Sequence, residues 1–211
     1  PSFCIVDPSF SFSMPKRVAA SSGMDALCQA IESYWSVNSS EESKNYAREA
    51  LTLAVKNIEC AVNTKERACI EAMSLAAHLA GKAINISRTT APHALSYAMT
   101  SLYGVPHGEA VSLTIGEVLV ANRLVSDCDV SDPRGSVYVR ETISEIVQSL
   151  GCSSPEQAKY KLKEISAVVG LRTRLSQCGI TKKDIDILSS SVNLQRLGNN
   201  PRKLDQGIIE G

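Results

Sequence analysis

Apolar residues recur along most of the chain at intervals of three and four positions, the spacing of an α-helix with one buried face. This pattern predicts helices over about 23–35, 41–62, 65–86, 91–103, 107–120, 133–150, 155–170 and from 181 onward, with a last helical start at 204–205. Only the start of the chain departs from this pattern. Residues 3–6 favour a short strand, and polar and aromatic residues alternate over 9–13 as in a short extended segment. The fold class is therefore all-α, a multi-helix bundle of about eight helices.

Composition narrows the class of protein further. The chain has 211 residues, 44% of them hydrophobic, with 22 basic and 22 acidic side chains and no formal net charge. This balance excludes a disordered chain and argues against a nucleic-acid binder, which would carry a basic stripe. No apolar run is long enough to span a membrane, and the start is neither an initiating Met nor a secretory signal. We expect a piece of a longer protein, with no nucleic-acid or membrane partner.

The cysteines point to the compartment. There are seven, an odd number, and no two of them form a CxxC pair. We therefore expect reduced thiols in a cytoplasmic protein, with neither a disulfide framework nor a structural zinc cluster.

Two of the three histidines occupy similar positions. His93 and His107 each follow a proline at the start of a predicted helix, whereas His78 lies in an apolar helix and reads as a core or boundary residue. From His93 the helix rises roughly 10 Å to Thr100. The residues 101–106 can then span about 20 Å when extended. Joint ligation of one metal is therefore feasible, although each histidine is equally consistent with an ordinary helix start.

An earlier predicted helix carries a further candidate ligand. Asp25 and Gln29 are four residues apart, so they share a helix face about 6 Å apart along the axis. Two side chains with this spacing can hold one metal ion. Taken alone, Asp25 also fits a first-turn carboxylate that the helix dipole favours.

Several motifs together resemble one family. Residues 23–34, GMDALCQAIESY, are similar to the GMDALxHAxE helix of the iron-containing (group III) alcohol dehydrogenases. Residues 90–97, TAPHALSY, and 104–108, GVPHG, resemble that family's second signature, including the spacing of its two histidines. Residues 7–8 resemble the junction that leaves the nucleotide domain, and 200–202 resemble the family's C-terminal NPR turn.

The resemblance implies a two-domain enzyme of dehydroquinate synthase-like fold, about twice as long as this chain. The front α/β domain, absent here, would bind most of the NAD(P)H through a Gly-rich loop, and no GxGxxG occurs in this sequence. Residues 1–14 would be a residual strand and linker, and 15–211 the all-α metal- and substrate-binding domain. The chain by itself would not turn over, and the full-length enzyme would be a homo-oligomer.

Carried over position by position, the resemblance implies a metal site made by Asp25, Gln29, His93 and His107. The metal would be Fe2+ or Zn2+, polarising a substrate carbonyl that accepts hydride from the nicotinamide. The family usually has His at the position of Gln29, so the site either binds more weakly, uses three ligands and water, or holds no metal. A further family histidine is replaced here by Tyr97.

The expected substrate is a small aldehyde or alcohol. The sequence of residues 85–93, together with Gln29, resembles the subgroup that reduces phosphonoacetaldehyde to 2-hydroxyethylphosphonate. This resemblance implies a role in phosphonate metabolism. Arg88 is either a clamp for the anionic head group or a cation at a helix C-terminus. Tyr97 is a second candidate substrate contact. Three weaker candidates are Lys82, Thr89 and Glu109, the last of which also fits a first-turn acid.

Two other classes of protein compete with this reading. The first is a metal-free helical relative with a binding or assembly role, which Gln29 favours. The second is a two-histidine, one-carboxylate iron oxygenase, against which the ordered motifs argue.

Overall fold

The computed structural model describes residues 3–192, 194–205 and 207. Within this part of the chain nine α-helices form, and there is no strand, only an isolated antiparallel bridge between Val130 and Arg202. The helices are α1 Lys16–Trp35, α2 Glu41–Asn63, α3 Arg67–Ser87, α4 Ala91–Tyr103, α5 His107–Arg123, α6 Ser136–Ser149, α7 Pro155–Val168, α8 Ile185–Ser190 and α9 Leu194–Leu197. The predicted all-α class is confirmed.

Helix α1 is the centre of the bundle. It packs against α2, α3, α5 and α6, and from Gly23 onward most of its residues are buried, as expected of a helix with apolar groups on most sides. The largest of these side chains, Trp35, Tyr34 and Met24, have almost no exposed surface. A polar side chain on this half of α1 that is neither exposed to solvent nor packed in the apolar core therefore indicates a local polar site.

Helices α4 and α5 form a hairpin whose turn is set by its sequence. Pro92 lies in the first turn of α4, where a missing N–H costs nothing, and Gly104 closes the helix in the left-handed conformation at φ 63°. Pro106 then precedes the first residue of α5. Both boundaries match the predicted ones, and the two helix starts come back to the same region of α1.

The expected start of α1 is wrong. The helix begins at Lys16, directly after Pro15, and not after Ser22. The Ser22 hydroxyl donates to the Val18 carbonyl instead of capping a new helix. Asp25 consequently lies well inside α1, so the first-turn explanation of this carboxylate does not apply.

Four other expected elements differ. Residues 3–6 form no strand, and 9–13 overlap a 3-10 turn at Pro8–Ser11, which Asp7 caps by accepting from the Ser9 N–H. Helix α6 starts at Ser136, because the Asp132 carboxylate accepts from the backbone and side chain of Arg134 and holds a turn there. Residues 204–205 are not helical, and 206 and 208–211 lie outside the described residues.

The segment after α9 returns to the bundle through polar anchors. Asn200 and Asn122 are buried and exchange side-chain amide hydrogen bonds of 2.8 and 3.2 Å. The Arg202 guanidinium binds Asp129 at 2.7 Å and also donates to the Ala121 carbonyl. The turn that resembles the family's NPR motif is thus fixed against the end of α5.

One disulfide departs from the expected reduced thiols. Cys60 in the last turn of α2 is bonded to Cys69 in the first turn of α3, because the short connection brings these two turns side by side. The other five cysteines carry free thiols. None of the helices in the described part of the chain combines the length and apolar character needed to traverse a lipid bilayer.

Candidate metal centre

Three of the side chains selected from the sequence meet at one point. The Asp25 Oδ1 atom lies 3.3 Å from Nε2 of His93 and 3.9 Å from Nε2 of His107. The potential ligand atoms all lie within 4.8 Å of one another. The two imidazole rings are 5.2 Å apart and nearly perpendicular, so both nitrogens point toward the same space beside the carboxylate.

Gln29 completes this group in a different way from an imidazole. Its side-chain Nε2 donates a 2.9 Å hydrogen bond to Oδ2 of Asp25, whereas Oδ1 is the oxygen close to the histidines. Gln29 therefore orients the carboxylate. A half turn of the amide would present its oxygen instead, which is a neutral and weaker donor to a metal than a histidine nitrogen.

Two buried ligand atoms indicate what this group of side chains could bind. Oδ1 of Asp25 and Nε2 of His93 are buried and, apart from their 3.3 Å contact with each other, have no hydrogen-bond partner. A buried polar atom without a partner costs on the order of 1–3 kcal/mol. A divalent cation between them would satisfy both atoms, and one carboxylate with two imidazoles is a donor set that suits Fe2+ or Zn2+. The residues present therefore fit the metal that the sequence implies.

A buried carboxylate that the sequence analysis did not single out holds His93. Glu32 on α1 is fully buried, and its Oε2 contacts Nδ1 of His93. Its Oε1 accepts from both the backbone N–H and the hydroxyl of Thr90, each at 2.9 Å. Glu32 thus caps the start of α4 and fixes the orientation of the histidine, with Nε2 left facing Asp25.

The charges around His93 change its titration. Burial by itself would lower the pKa, but the Glu32 and Asp25 carboxylates more than compensate and raise the pKa of His93 to about 9. Below that pH the ring is protonated in the absence of metal. A metal that binds through Nε2 must then displace a proton.

His107 is held more loosely. Its side chain is 38% exposed, its Nδ1 lies 3.4 Å from the Ser96 hydroxyl, and its ring stacks on Tyr97 with centroids 5.8 Å apart. Partial burial lowers the pKa of His107, and the attraction of Asp25 offsets only part of that effect. This ring is therefore neutral near neutral pH, as a metal ligand must be.

Gly108 permits the close approach of α5 to α1. A Cβ at this position would lie 1.9 Å from the Ser21 carbonyl oxygen and 2.8 Å from Cβ of Asp25. Any other residue would push the start of α5 away from α1. The glycine that follows His107 is thus required for that histidine to reach Asp25.

The proposed substrate residues lie in two places. Tyr97 is half exposed beside His107. Arg88 is exposed at the C-cap of α3, with φ 66°, so it is a helix C-terminal residue; it also lines an open groove of about 590 Å³. The lining of that groove does not include Asp25 or either histidine.

The weaker candidates divide in the same way. Thr89 lines the groove, but Lys82 does not, and its ammonium group lies 3.8 Å from the centre of the Tyr46 ring. Glu109 is buried in the first turn of α5 and binds the Arg172 guanidinium at 2.6 Å. Burial would raise the pKa of Glu109, but Arg172 lowers it below its usual range. His78 is a boundary residue close to Cys4, as one of its interpretations had it.

The chain is similar to known proteins in both sequence and fold. The chain is 30% identical to the phosphonoacetaldehyde reductase of Streptomyces viridochromogenes, covering 98% of this chain and 51% of that protein. It is 28% identical to the 1,3-propanediol dehydrogenase of Citrobacter freundii, covering 96% of this chain and 52% of the relative. The crystal structure of the sulfoacetaldehyde reductase from Bifidobacterium kashiwanohense in complex with NAD+ superposes with a TM-score of 0.83 at 28% identity, covering 97% and 51% of the two chains.

The chain spans about half the length of the curated relatives it matches. Residues 19–210 match the C-terminal part of the Fe-containing alcohol dehydrogenase family, and the relatives named above are, by their names, aldehyde reductases and an alcohol dehydrogenase. On this match and the shared fold, the chain belongs to the iron-containing alcohol dehydrogenase family and corresponds to its C-terminal helical domain.

Proposed function

We propose that this chain is the metal- and substrate-binding part of an NAD(P)-dependent, metal-assisted alcohol dehydrogenase that reduces small aldehydes. The observation that carries the proposal is the convergence of Asp25, His93 and His107, with two buried ligand atoms that have no hydrogen-bond partner other than each other. These three residues would hold Fe2+ or Zn2+, with Gln29 beside them. The metal, when bound, supplies a Lewis acid that polarises the substrate carbonyl.

The chain's own residues prepare this site. Asp25 brings a negative charge that offsets the metal charge, and Glu32 keeps Nε2 of His93 aimed at it. Tyr97 shields one face of His107 and lies where a substrate would enter. Packing of α4 and α5 on α1 excludes water from the Asp25 and His93 side of the site.

For the substrate we propose phosphonoacetaldehyde, reduced to 2-hydroxyethylphosphonate, with Arg88 binding the anionic head group. Two relatives, by their names, reduce aldehydes that carry a phosphonate or a sulfonate. NAD(P)H would be bound mainly by an N-terminal nucleotide domain. We assign residues 1–14 to the linker that follows that domain, and 15–211 to the metal and substrate domain. We further propose a cytoplasmic, homo-oligomeric enzyme whose isolated C-terminal domain does not turn over.

A second candidate is a metal-free helical relative with a binding or assembly role. The observation that favours it is Gln29, which donates to Asp25 where the family usually has an imidazole.

Elemental analysis and calorimetric titration with Zn2+, or with Fe2+ without oxygen, separate the two candidates. We expect metal binding by the native chain, its loss in Asp25→Asn, His93→Ala and His107→Ala, and its retention in the control His78→Ala. A native chain that binds no metal would support the second candidate. Assays of the complete reading frame against charged and neutral aldehydes with NADH and NADPH then test the reaction, with the isolated chain expected to be inactive.

A further inference from the structure

Arg196 is the charged side chain that connects the groove to the candidate metal centre. Its guanidinium carbon lies 5.0 Å from the centre of the Tyr97 ring, and the same ring stacks on His107, with the two ring centroids 5.8 Å apart. Arg196 also lines the groove that contains Arg88. Tyr97 therefore contacts both a residue that lines the groove and a residue of the metal centre.

The position of Arg196 is set by contacts on both sides of it. The Thr89 hydroxyl accepts from Nη1 of Arg196, and the Asn199 amide donates to the Thr89 carbonyl at 3.0 Å. The Asn199 carbonyl accepts from the Val37 N–H at 3.1 Å, next to the buried Asn200 anchor. A guanidinium held by a stack, a hydroxyl and an anchored backbone loses little freedom when it binds a ligand.

The lining of the groove has the chemistry of an anion site. Among the described residues it contains two guanidinium groups and two amides, from Arg88, Arg196, Asn85 and Asn199, and no carboxylate. The chain as a whole carries equal numbers of acidic and basic residues, so this is a local concentration of positive charge. The planar fork of arginine matches the oxygens of a phosphonate or sulfonate in a bidentate manner.

We propose that Arg196 is the specificity-determining residue of this enzyme, binding the anionic head group of a short aldehyde whose carbonyl faces the Asp25, His93 and His107 cluster. Arg88, which we propose above to bind the same head group, contacts it from the outer side of this subsite. The inference rests on the proposed function, since it assumes that the aldehyde is reduced at that cluster. Its consequence is a preference for phosphonate- or sulfonate-bearing aldehydes over neutral aldehydes of similar length.

The test compares charged and neutral substrates in the enzyme made from its complete reading frame. Phosphonoacetaldehyde, sulfoacetaldehyde and propanal are assayed with the native protein, Arg196→Gln, Arg88→Gln and the control Arg123→Gln. Arg123 lies on α5 sixteen residues after His107, about 24 Å along the helix, and lines a different groove. In Arg196→Gln we expect kcat/KM for both charged aldehydes to fall about 10- to 100-fold. The value for propanal should stay within about threefold.

Binding without turnover provides a second readout. Methylphosphonate is titrated into each protein and followed by phosphorus NMR. We expect binding by the native protein and by Arg123→Gln, weaker binding by Arg88→Gln and none by Arg196→Gln. Arg196→Lys keeps the charge but loses the fork, so it should lie between the native protein and Arg196→Gln. This variant also serves if Arg196→Gln does not fold, as judged by circular dichroism.

Three results would overturn the inference. The first is an equal loss for propanal and the charged aldehydes in Arg196→Gln, which would make Arg196 merely structural. The second is loss in Arg88→Gln with none in Arg196→Gln, and the third is native methylphosphonate binding that neither lysine nor glutamine at 196 changes. If the native enzyme reduces no aldehyde, the proposed function fails, and the methylphosphonate titration still decides whether Arg196 binds the anion.

Discussion

The start of α4 and the start of α5 each bring one histidine to Asp25, but they do so by different physical means. His93 is buried, and the fully buried carboxylate of Glu32 holds both its ring and the helix end around it. His107 is partly exposed and has a hydroxyl and a stacked ring as neighbours. Its position depends on Gly108, which lets the backbone of α5 come close to α1.

This difference means that the two ligands should respond to different perturbations. A ligand held by a buried charge is sensitive to the protonation and chemistry of that charge. A ligand held by backbone proximity is sensitive to the volume of a single side chain. The following four predictions test this division, from the largest expected effect to the smallest.

The largest effect should come from Gly108→Ala. The added Cβ would lie 1.9 Å from the Ser21 carbonyl oxygen, which is backbone and cannot move aside cheaply. We expect the start of α5 to shift, metal binding to be lost, and the free energy of unfolding to fall by about 1–3 kcal/mol. Metal titration and thermal unfolding measure both quantities.

The matched control for this change is Gly81→Ala in α3. A Cβ there meets no atom within 4 Å, so stability should rise by roughly 0.4–1 kcal/mol. Equal stability changes in the two variants would show that the contact at Gly108 does not matter.

Glu32→Gln should weaken metal binding by about 10- to 100-fold. The amide can still accept from Thr90, but its NH2 group donates to Nδ1 of His93 and drives the proton to Nε2, the atom that must bind the metal. Calorimetric titration measures the affinity. Glu117→Gln, on the exposed face of α5 opposite Lys159, should leave it unchanged. An unaltered affinity in Glu32→Gln would contradict the positioning role.

The two histidines should give the metal-free protein opposite pH dependences of stability. The pKa of His93 is raised to about 9 from 6.5, so its contribution is complete below pH 6.5 and is lost as the pH rises through 9. The pKa of His107 is lowered, so its contribution is complete above pH 6.5 and is lost as the pH falls. For His93 the change amounts to roughly 3 kcal/mol.

Urea unfolding at a series of pH values measures this dependence. His93→Gln should remove the loss on the alkaline side, and His107→Gln the part of the acid-side loss that begins near pH 6.5, while the loss from paired carboxylates such as Glu109 at more acidic pH should remain. The same slope in both variants and the native chain would refute the assignment.

The smallest expected effect is a gain. Gln29→His would add an imidazole from α1, giving the site a ligand that depends on neither helix start, and should tighten metal binding on the order of tenfold. Gln148→His on the exposed face of α6 is the control. No gain in affinity would count against a place for residue 29 among the ligands.

The parts of the fold that could be predicted are those with strong local signals. Pro92, Gly104 and Pro106 set the end of α4 and the starts of α4 and α5, so chain geometry allowed both histidines to return to one level without requiring it. The start of α1 could not be predicted from Ser22, because a serine hydroxyl can bond backward within a helix as well as cap one. Local sequence does not distinguish the two uses.

Long-range contacts account for the rest. Glu32 lies within the recognised motif, seven residues after Asp25, and the shared helix face was a signal that it belongs to the site; its complete burial was not visible from the sequence. Arg196 reaches Tyr97 only because Asn199 and Asn200 anchor a distant segment. The disulfide between Cys60 and Cys69 depends on the packing of α2 on α3. The odd number of cysteines favoured reduced thiols and gave no sign of this pair.

Helix α1 sets the spacing of three side chains at the metal centre. It carries Asp25, then Gln29 one turn later, then Glu32 two turns from the first, so the spacing of these groups is fixed by helical rise alone. Inserting a single residue between Asp25 and Glu32 would rotate one relative to the other by about 100°. Such a change would leave the bundle's composition intact while separating the carboxylate that approaches Nε2 of His93 from the one that orients its ring.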